Sequence, residues 1–155
     1  MAKKATPKVD IEQPKKINFS FKGIEQVSFS YDTPQPPVLT SQIQFNVTLE
    51  LNANPEQKLY IVKVIISVMN EDFSVQYAHQ AINCFFEITN FNEVIKIKGQ
   101  AFDDIPQVLL ETTNSISVST ARGILFANCR GTFLHNAILP IMDPKKFNLQ
   151  NIINK

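Results

Sequence analysis

Residues 59–69, Leu59-Tyr60-Ile61-Val62-Lys63-Val64-Ile65-Ile66-Ser67-Val68-Met69, decide how the rest of the chain must be read. The run is rich in β-branched residues and free of Gly and Pro, as a strand requires. At period two, Tyr60, Val62, Val64, Ile66 and Val68 fill one face, while Leu59, Ile61, Ile65 and Met69 fill most of the other. A strand with one face in water alternates apolar with polar residues. This strand asks for cover on both faces, yet the chain supplies about one long helix to lie on a sheet. The spare apolar surface must meet a second copy, a bound partner, or both. The sequence therefore points to a binding protein and not to an enzyme.

The flanking segments build the sheet around that run. Before it, Ile43, Phe45, Val47, Leu49 and Leu51 point one way, and Gln42, Gln44, Asn46, Thr48, Glu50 and Asn52 the other. Residues Asn52 to Gln57 read as the turn between the two. After it, Asn70-Glu71-Asp72 predicts a tight hairpin into a fourth strand from Phe73 to about Thr89. Earlier still, Ile17, Phe19 and Phe21 alternate with polar residues, and Val27, Phe29 and Tyr31 resume the same parity. Gly23 between them predicts one long strand, bent or bulged near its middle. Asp32 to Pro37 holds three prolines and reads as a stiff crossing loop. The expected product is an antiparallel, four-stranded, meander-like sheet.

Past residue 100 the pattern turns helical. Asp103 or Asp104 can cap a helix whose first turn accepts Pro106 and which carries Val108, Leu109 and Leu110. Thr112, Thr113, Asn114 and Ser115 weaken helix propensity and predict an interruption there. Asn114 or Ser115 can then recap a longer helix through Arg122 to Cys129, ended by Gly131. On it, Ser117, Thr120, Ala121 and Ile124 form a smooth flank, and Val118, Leu125 and Cys129 a second apolar stripe. Asp143-Pro144 opens a short last helix with Leu149, Ile152 and Ile153 on one side. The fold class is α+β: a four-stranded antiparallel sheet packed by a long C-terminal helix and a short final helix.

At 155 residues with 44% hydrophobic and 19% charged content, the chain is sized for one globular domain, assigned to residues 17–155. Lys3, Lys4, Lys8, Lys15, Lys16 and Lys22 crowd the start, where Pro7 and Pro14 interrupt them. Residues 1–16 read as a flexible basic arm, and the formal net charge of +1 gives no overall pull toward nucleic acid or membrane. No stretch has the length of a signal-peptide core or a membrane span. Cys84 and Cys129 read as buried free thiols of a reducing compartment, so the expected location is cytoplasmic.

Catalytic chemistry finds little support. His79 and His135 share no ligand-like spacing with the cysteines, so no metal is expected. Ser117, Ser119, His135 and Asp143 lack a nucleophile turn that would bring them together. Only four glycines exist, at 23, 99, 123 and 131, and none forms a phosphate-cradling loop. Asp103-Asp104 suits a helix cap. No cofactor is expected. A sheet that binds RNA would set basic residues beside exposed aromatics, and the second to fourth strands carry few.

Several stretches resemble the protein-export chaperone SecB family. Phe21 to Tyr31, with Gly23-Ile24, Val27-Ser28-Phe29 and Tyr31, is similar to the family's first strand. Thr120-Ala121-Arg122-Gly123-Ile124-Leu125, then Arg130-Gly131-Thr132-Phe133, Leu139-Pro140 and Pro144 to Phe147 resemble its main helix, helix-ending glycine and final helix. Together they span about Ile17 to Ile153. The resemblance implies subunits paired through sheet edges and two such dimers packed helix on helix, a homotetramer whose interface would include Ser117, Ala121 and Ile124. It also implies an ATP-independent holdase for unfolded polypeptides, including preproteins bound for the SecA motor. Its client groove maps onto Phe29, Tyr31, Val38, Leu39, Phe133, Phe147 and Ile152. The family's acidic docking face is replaced here by Gln26 and Ser30, with His79 nearby, and its acidic tail is not seen before Lys155. Holding clients is thus better supported than delivery to SecA, and a SecB-like chaperone dedicated to one client, such as an antitoxin, fits almost as well. The rival from another class is a carrier of small hydrophobic ligands, with the helix lidding a curved sheet.

Overall fold

The computed structural model describes residues 16–35, 42–99, 101–143 and 145. Strands β1 (Phe19–Tyr31), β2 (Ile43–Asn54), β3 (Leu59–Asn70) and β4 (Gln76–Ile88) form one antiparallel sheet in the order β1-β4-β3-β2. Hairpins link β2 to β3 and β3 to β4, while β1 returns beside β4, so the chain must cross the sheet between β1 and β2. This is Greek-key order and not a simple meander. Helix α1 (Phe91–Val94), the ribbon β5 (Lys96–Lys98) and β6 (Ala101–Asp104), and the long helix α2 (Gln107–Asn128) complete the described chain.

The two faces of β3 differ in cover. Tyr60, Val62, Val64, Ile66 and Val68 are buried, whereas Leu59, Ile61, Ile65 and Met69 stay half-buried on the opposite, outer face. Helix α2 seals the first face with Leu109, Leu110, Val118, Ala121, Leu125 and Cys129, all buried. Each large apolar side chain so placed stabilises the fold by about 1.5–3 kcal/mol. On the outer face the Lys63 ammonium meets the buried carboxylate of Glu50 at 3.2 Å, cross-strand neighbours in the β2–β3 register.

Several expectations give way to local physics. Helix α2 is not interrupted at Thr112–Ser115. Thr113 Oγ1 donates to Leu109 O at 2.8 Å, and burial of Thr113, Asn114 and Ser117 against the sheet overrides their weak helix propensity. Asp103 and Asp104 are exposed in β6 and do not cap it; Pro106 takes that position with ψ near 129° and no side-chain bond. The ribbon escaped the sequence reading, and its turn uses Gly99 at φ +66°, a conformation that favours glycine.

Strand β4 begins at Gln76 and not at Phe73, because Asn70 clasps a longer turn. Asn70 Oδ1 accepts from Val75 N at 2.8 Å, and its Nδ2 donates to Ser74 Oγ at 3.0 Å. The Ser74 hydroxyl and amide both donate to Asp72 and hold that carboxyl below its ordinary range. Phe73 is left exposed at the tip with φ +59°. Asp143 Oδ1 accepts from Lys145 N at 3.0 Å, as the expected N-cap should, and the rest of the expected final helix and residues 1–15 of the basic arm lie outside the described residues.

Candidate functional site

Among the described residues, the edge strand β1 carries four exposed large apolar side chains, Phe21, Ile24, Val27 and Tyr31. Opposed residues in an antiparallel pair share a face. Tyr31, Phe29, Gln26, Ile24, Phe21 and Phe19 pair with Ala78, Gln80, Ile82, Cys84, Phe86 and Ile88 of β4, the buried row beneath α2. They therefore share the helix-side face. Two register shifts permit this, one between Phe21 and Gly23 and one between Gln26 and Ser28. The first agrees with the expected bulge near Gly23. The second was hidden, because two one-residue insertions restore the original parity and leave Val27 and Phe29 looking in phase.

Helix α2 lies over β3 and β4, and near its end Asn128 Nδ2 lies 3.5 Å from Gln26 Oε1 of β1. The β1 row thus projects beyond the helix as a shelf. Phe21, Ile24 and Tyr31 are each between 42% and 47% exposed, and Val27, at the second bulge, is 49% exposed. Phe21 meets Phe86 edge-on at 5.2 Å, and Phe29 stacks on Tyr31 at 6.4 Å. No carboxylate, ammonium or guanidinium stands in this row. The nearby charges belong to the other side, where Lys22 pairs with Glu87 at 2.7 Å and Glu25 accepts from Asn83 at 2.8 Å. A neutral apolar ledge of this kind can take up extended chain without demanding a particular side chain.

Phe29 and Tyr31 stand on the shelf as expected. Phe133 is brought to the same end through Tyr77: the rings meet at 5.6 Å edge-on, and Tyr77 O accepts from Asp32 N at 2.8 Å, just past Tyr31. The segment bearing Phe133 is tied down by Arg122, whose Nε and Nη2 donate to Leu139 O and Pro140 O at 2.9 and 3.0 Å. Val38, Leu39, Phe147 and Ile152 lie outside the described residues. Phe21, Ile24 and Val27 were missed as site residues. The odd spacings Phe21 to Ile24 and Ile24 to Phe29 were the signal for them.

The smooth helix flank requires correction. Ser117 and Ala121 are wholly buried against the protomer's own sheet, and only Ile124 of the expected trio remains half-exposed. Small residues at 117 and 121 let α2 sit close to the strands. The side open to a second helix instead carries Val108, Ser115, Ser119, Gly123 and Phe126, all exposed. Gln26 also departs from expectation: it sits on the helix-side face, while Ser30 and His79 pair on the outer one.

No family model matches the sequence, and no curated protein matches it. Among solved structures, the SecB-like chaperone Rv1957 of Mycobacterium tuberculosis, in complex with a ChAD peptide from the Rv1956 HigA1 antitoxin, is similar at TM-score 0.54 and 11% identity. The match covers 80% of this chain and 87% of that one. The chain has a SecB-like fold. A protein of unknown function from Streptococcus agalactiae is similar at TM-score 0.38 and 11% identity, covering 74% of this chain and 89% of that one.

Proposed function

We propose that this protein is an ATP-independent holdase, acting without cofactor or catalysis in the cytoplasm, that captures non-native polypeptide on the β1 shelf. The observation that carries the reading is the uncharged apolar row of β1 standing clear of α2. Covering about 1,000 Å² of apolar surface at 25 cal/mol/Å² gives about 25 kcal/mol gross, most of it lost to ordering the client. Such binding is broad, and it suits clients that share only exposed apolar sequence. The SecB-like fold supports it, since Rv1957 is a chaperone solved with a bound peptide.

For assembly, the free edge of β1 meets the same edge of a second copy, and the outward face of α2 around Ser119 and Gly123 joins two dimers into a tetramer. Among clients, both preproteins for Sec-dependent export and a single dedicated client such as an antitoxin fit the shelf. The peptide in Rv1957 favours the second. Docking of the SecA motor finds less support, because on the outer face Glu87 and Glu50 are already paired with Lys22 and Lys63, which leaves Glu25, bonded to the Asn83 amide, as the β1 carboxylate there.

The deciding experiment mixes the protein, at modest molar excess and without nucleotide, with an unfolded protein that aggregates. Suppressed light scattering is expected, and unchanged scattering removes the reading. Native mass spectrometry separates the rival carrier: a lipid-loaded monomer would replace the holdase, and a lipid-free tetramer supports it.

A further inference from the structure

The hairpin end of the sheet carries surface that the shelf does not use. Gln42, Asn70, Glu71, Asp72 and Tyr77 line a hollow there of about 370 Å³. On the turn beside it Phe73 and Val75 are 54% and 48% exposed, and Phe73 stands at φ +59°, unusual for a bulky side chain. Such a conformation persists only where its surroundings impose it, as the bonds among Asn70, Asp72 and Ser74 do here. Asp32 is drawn to the same end, because its amide donates to Tyr77 O at 2.8 Å. Asp32, Glu71 and Asp72 are all exposed, and none has an ion pair among the described residues.

The complementary charge lies in residues 1–16, where Lys3, Lys4, Lys8, Lys15 and Lys16 outnumber Asp10 and Glu12. Within one subunit this arm starts at the wrong end of the sheet. Asn90 Nδ2 donates to Lys16 O at 2.9 Å and Thr89 N to Asn18 O at 3.0 Å, which fixes Lys16 beside the close of β4. The hairpin lies a strand away, and β3 from Leu59 to Asn70 spans about 36 Å at about 3.3 Å per residue. Fully extended, only Lys3 and Lys4 would reach it. Pairing of β1 with the β1 of a second copy changes the geometry. A two-fold axis sets the two strands antiparallel, so the partner's arm leaves the sheet where this subunit's Tyr31 and Asp32 stand.

We propose that residues 1–15 of each subunit dock on the hairpin end of its β1 partner, with arm lysines on Asp32, Glu71 and Asp72, and Val9 and Ile11 against Phe73 and Val75. The inference rests on the β1-to-β1 pairing proposed above. The arm supplies cations to three exposed carboxylates and apolar side chains to two exposed ones. Pro7 and Pro14 suit an extended segment and oppose a helical one. Each dimer gains two such contacts, beyond whatever the strand edges provide.

Carbodiimide cross-linking of the full chain tests this, in a sample refolded from a mixture of isotope-labelled and unlabelled copies. Links from an arm lysine to Asp32, Glu71 or Asp72 that join labelled to unlabelled peptides are expected. Arm-to-hairpin links confined to chains of one label, or no such link in a particle of two or more subunits, overturn the proposal and leave the β1 pairing standing. A monomer by light scattering removes both. Glu71→Lys should raise the dimer dissociation constant several-fold in sedimentation at low salt, and adding Lys8→Glu and Lys15→Glu to the same chain should restore it. Failure of that rescue overturns the contact. Arm lysines shielded by a bound oligonucleotide, with Glu71 left unlinked, would give the arm to nucleic acid instead.

Discussion

The side-chain amide of Gln80 donates to the main-chain oxygen of Ala121 at 2.9 Å, and both residues are fully buried. Gln80 Oε1 in turn accepts from Asn128 Nδ2 at 3.2 Å, so one β4 side chain ties together points two turns apart on α2. The helix is thereby registered against the sheet by polar contact as well as by apolar packing. Gln80→Leu deletes both bonds and leaves the Asn128 amide only its longer contact with Gln26 Oε1. A buried bond of this kind is worth about 1–3 kcal/mol once the orphaned group is counted. At this chain length that lowers the melting temperature by roughly 2–10 °C. A Gln80→Leu variant as stable as the parent in thermal denaturation would show that the tie is idle.

The outward side of α2 predicts a different response. A Cβ added at Gly123 meets nothing within 4 Å, and replacing a helical glycine improves propensity by close to 1 kcal/mol. Gly123→Arg should therefore leave the fold intact while halving the particle mass seen by light scattering, if two α2 helices meet there. Ala121→Arg drives a charge into the helix–sheet contact and should fail to fold. Unchanged mass for Gly123→Arg would place the subunit contact elsewhere.

Much of this arrangement was legible in the sequence, and the failures share a cause. Strands β2 and β3 pair without a register shift, so period two survives along Ile43 to Leu51 and Tyr60 to Val68. In β1, two bulges cancel in the numbering, and Ile24 looks misplaced though it faces the same way as Phe21 and Phe29. In α2, Thr113, Asn114 and Ser117 carry poor helix propensity, and only their burial under tertiary packing explains an unbroken helix. Ser117 and Ala121, expected at a subunit contact, are instead claimed by the protomer's own sheet. Local patterns report local geometry; they do not say which side of a helix the sheet claims.

Alkaline pH should loosen the fold in two stages. Burial pushes the thiols of Cys84 and Cys129 above their ordinary value of 9.0, and the phenol of Tyr60 above its ordinary 10.0. Unfolded thiols release protons near that value, while the folded ones still hold theirs. Their stabilising share is complete below about pH 9 and is lost as pH rises through the folded values, by about 1.4 kcal/mol per unit for each proton released. Tyr60 adds a second decline above pH 10. Melting temperatures between pH 7 and 11 give the test. The double variant Cys84→Ala, Cys129→Ala should flatten the first stage and keep the second. A parent curve level to pH 10 would contradict the thiol assignment.

The shelf itself is tested by two charges placed on one strand. Ile24 and Ser28 both lie on β1 and are both exposed, yet Ile24 pairs with Cys84 on the helix side and Ser28 with Ala81 on the outer side. Any disturbance of the strand edge, including a subunit contact made by its backbone, falls on both variants alike. Ile24→Asp removes apolar contact and sets a carboxylate where clients would lie; Ser28→Asp adds the same charge to the opposite face. Surface changes of this sort alter stability by only about 0.5 kcal/mol. The lost contact is worth about 1–2 kcal/mol of client binding, which weakens capture by roughly 5–30-fold. Ile24→Asp should therefore need several times more chaperone to suppress aggregation, and Ser28→Asp should match the parent. The reverse ranking would move the client site to the outer face, where Leu59, Ile61, Ile65 and Met69 remain half-buried.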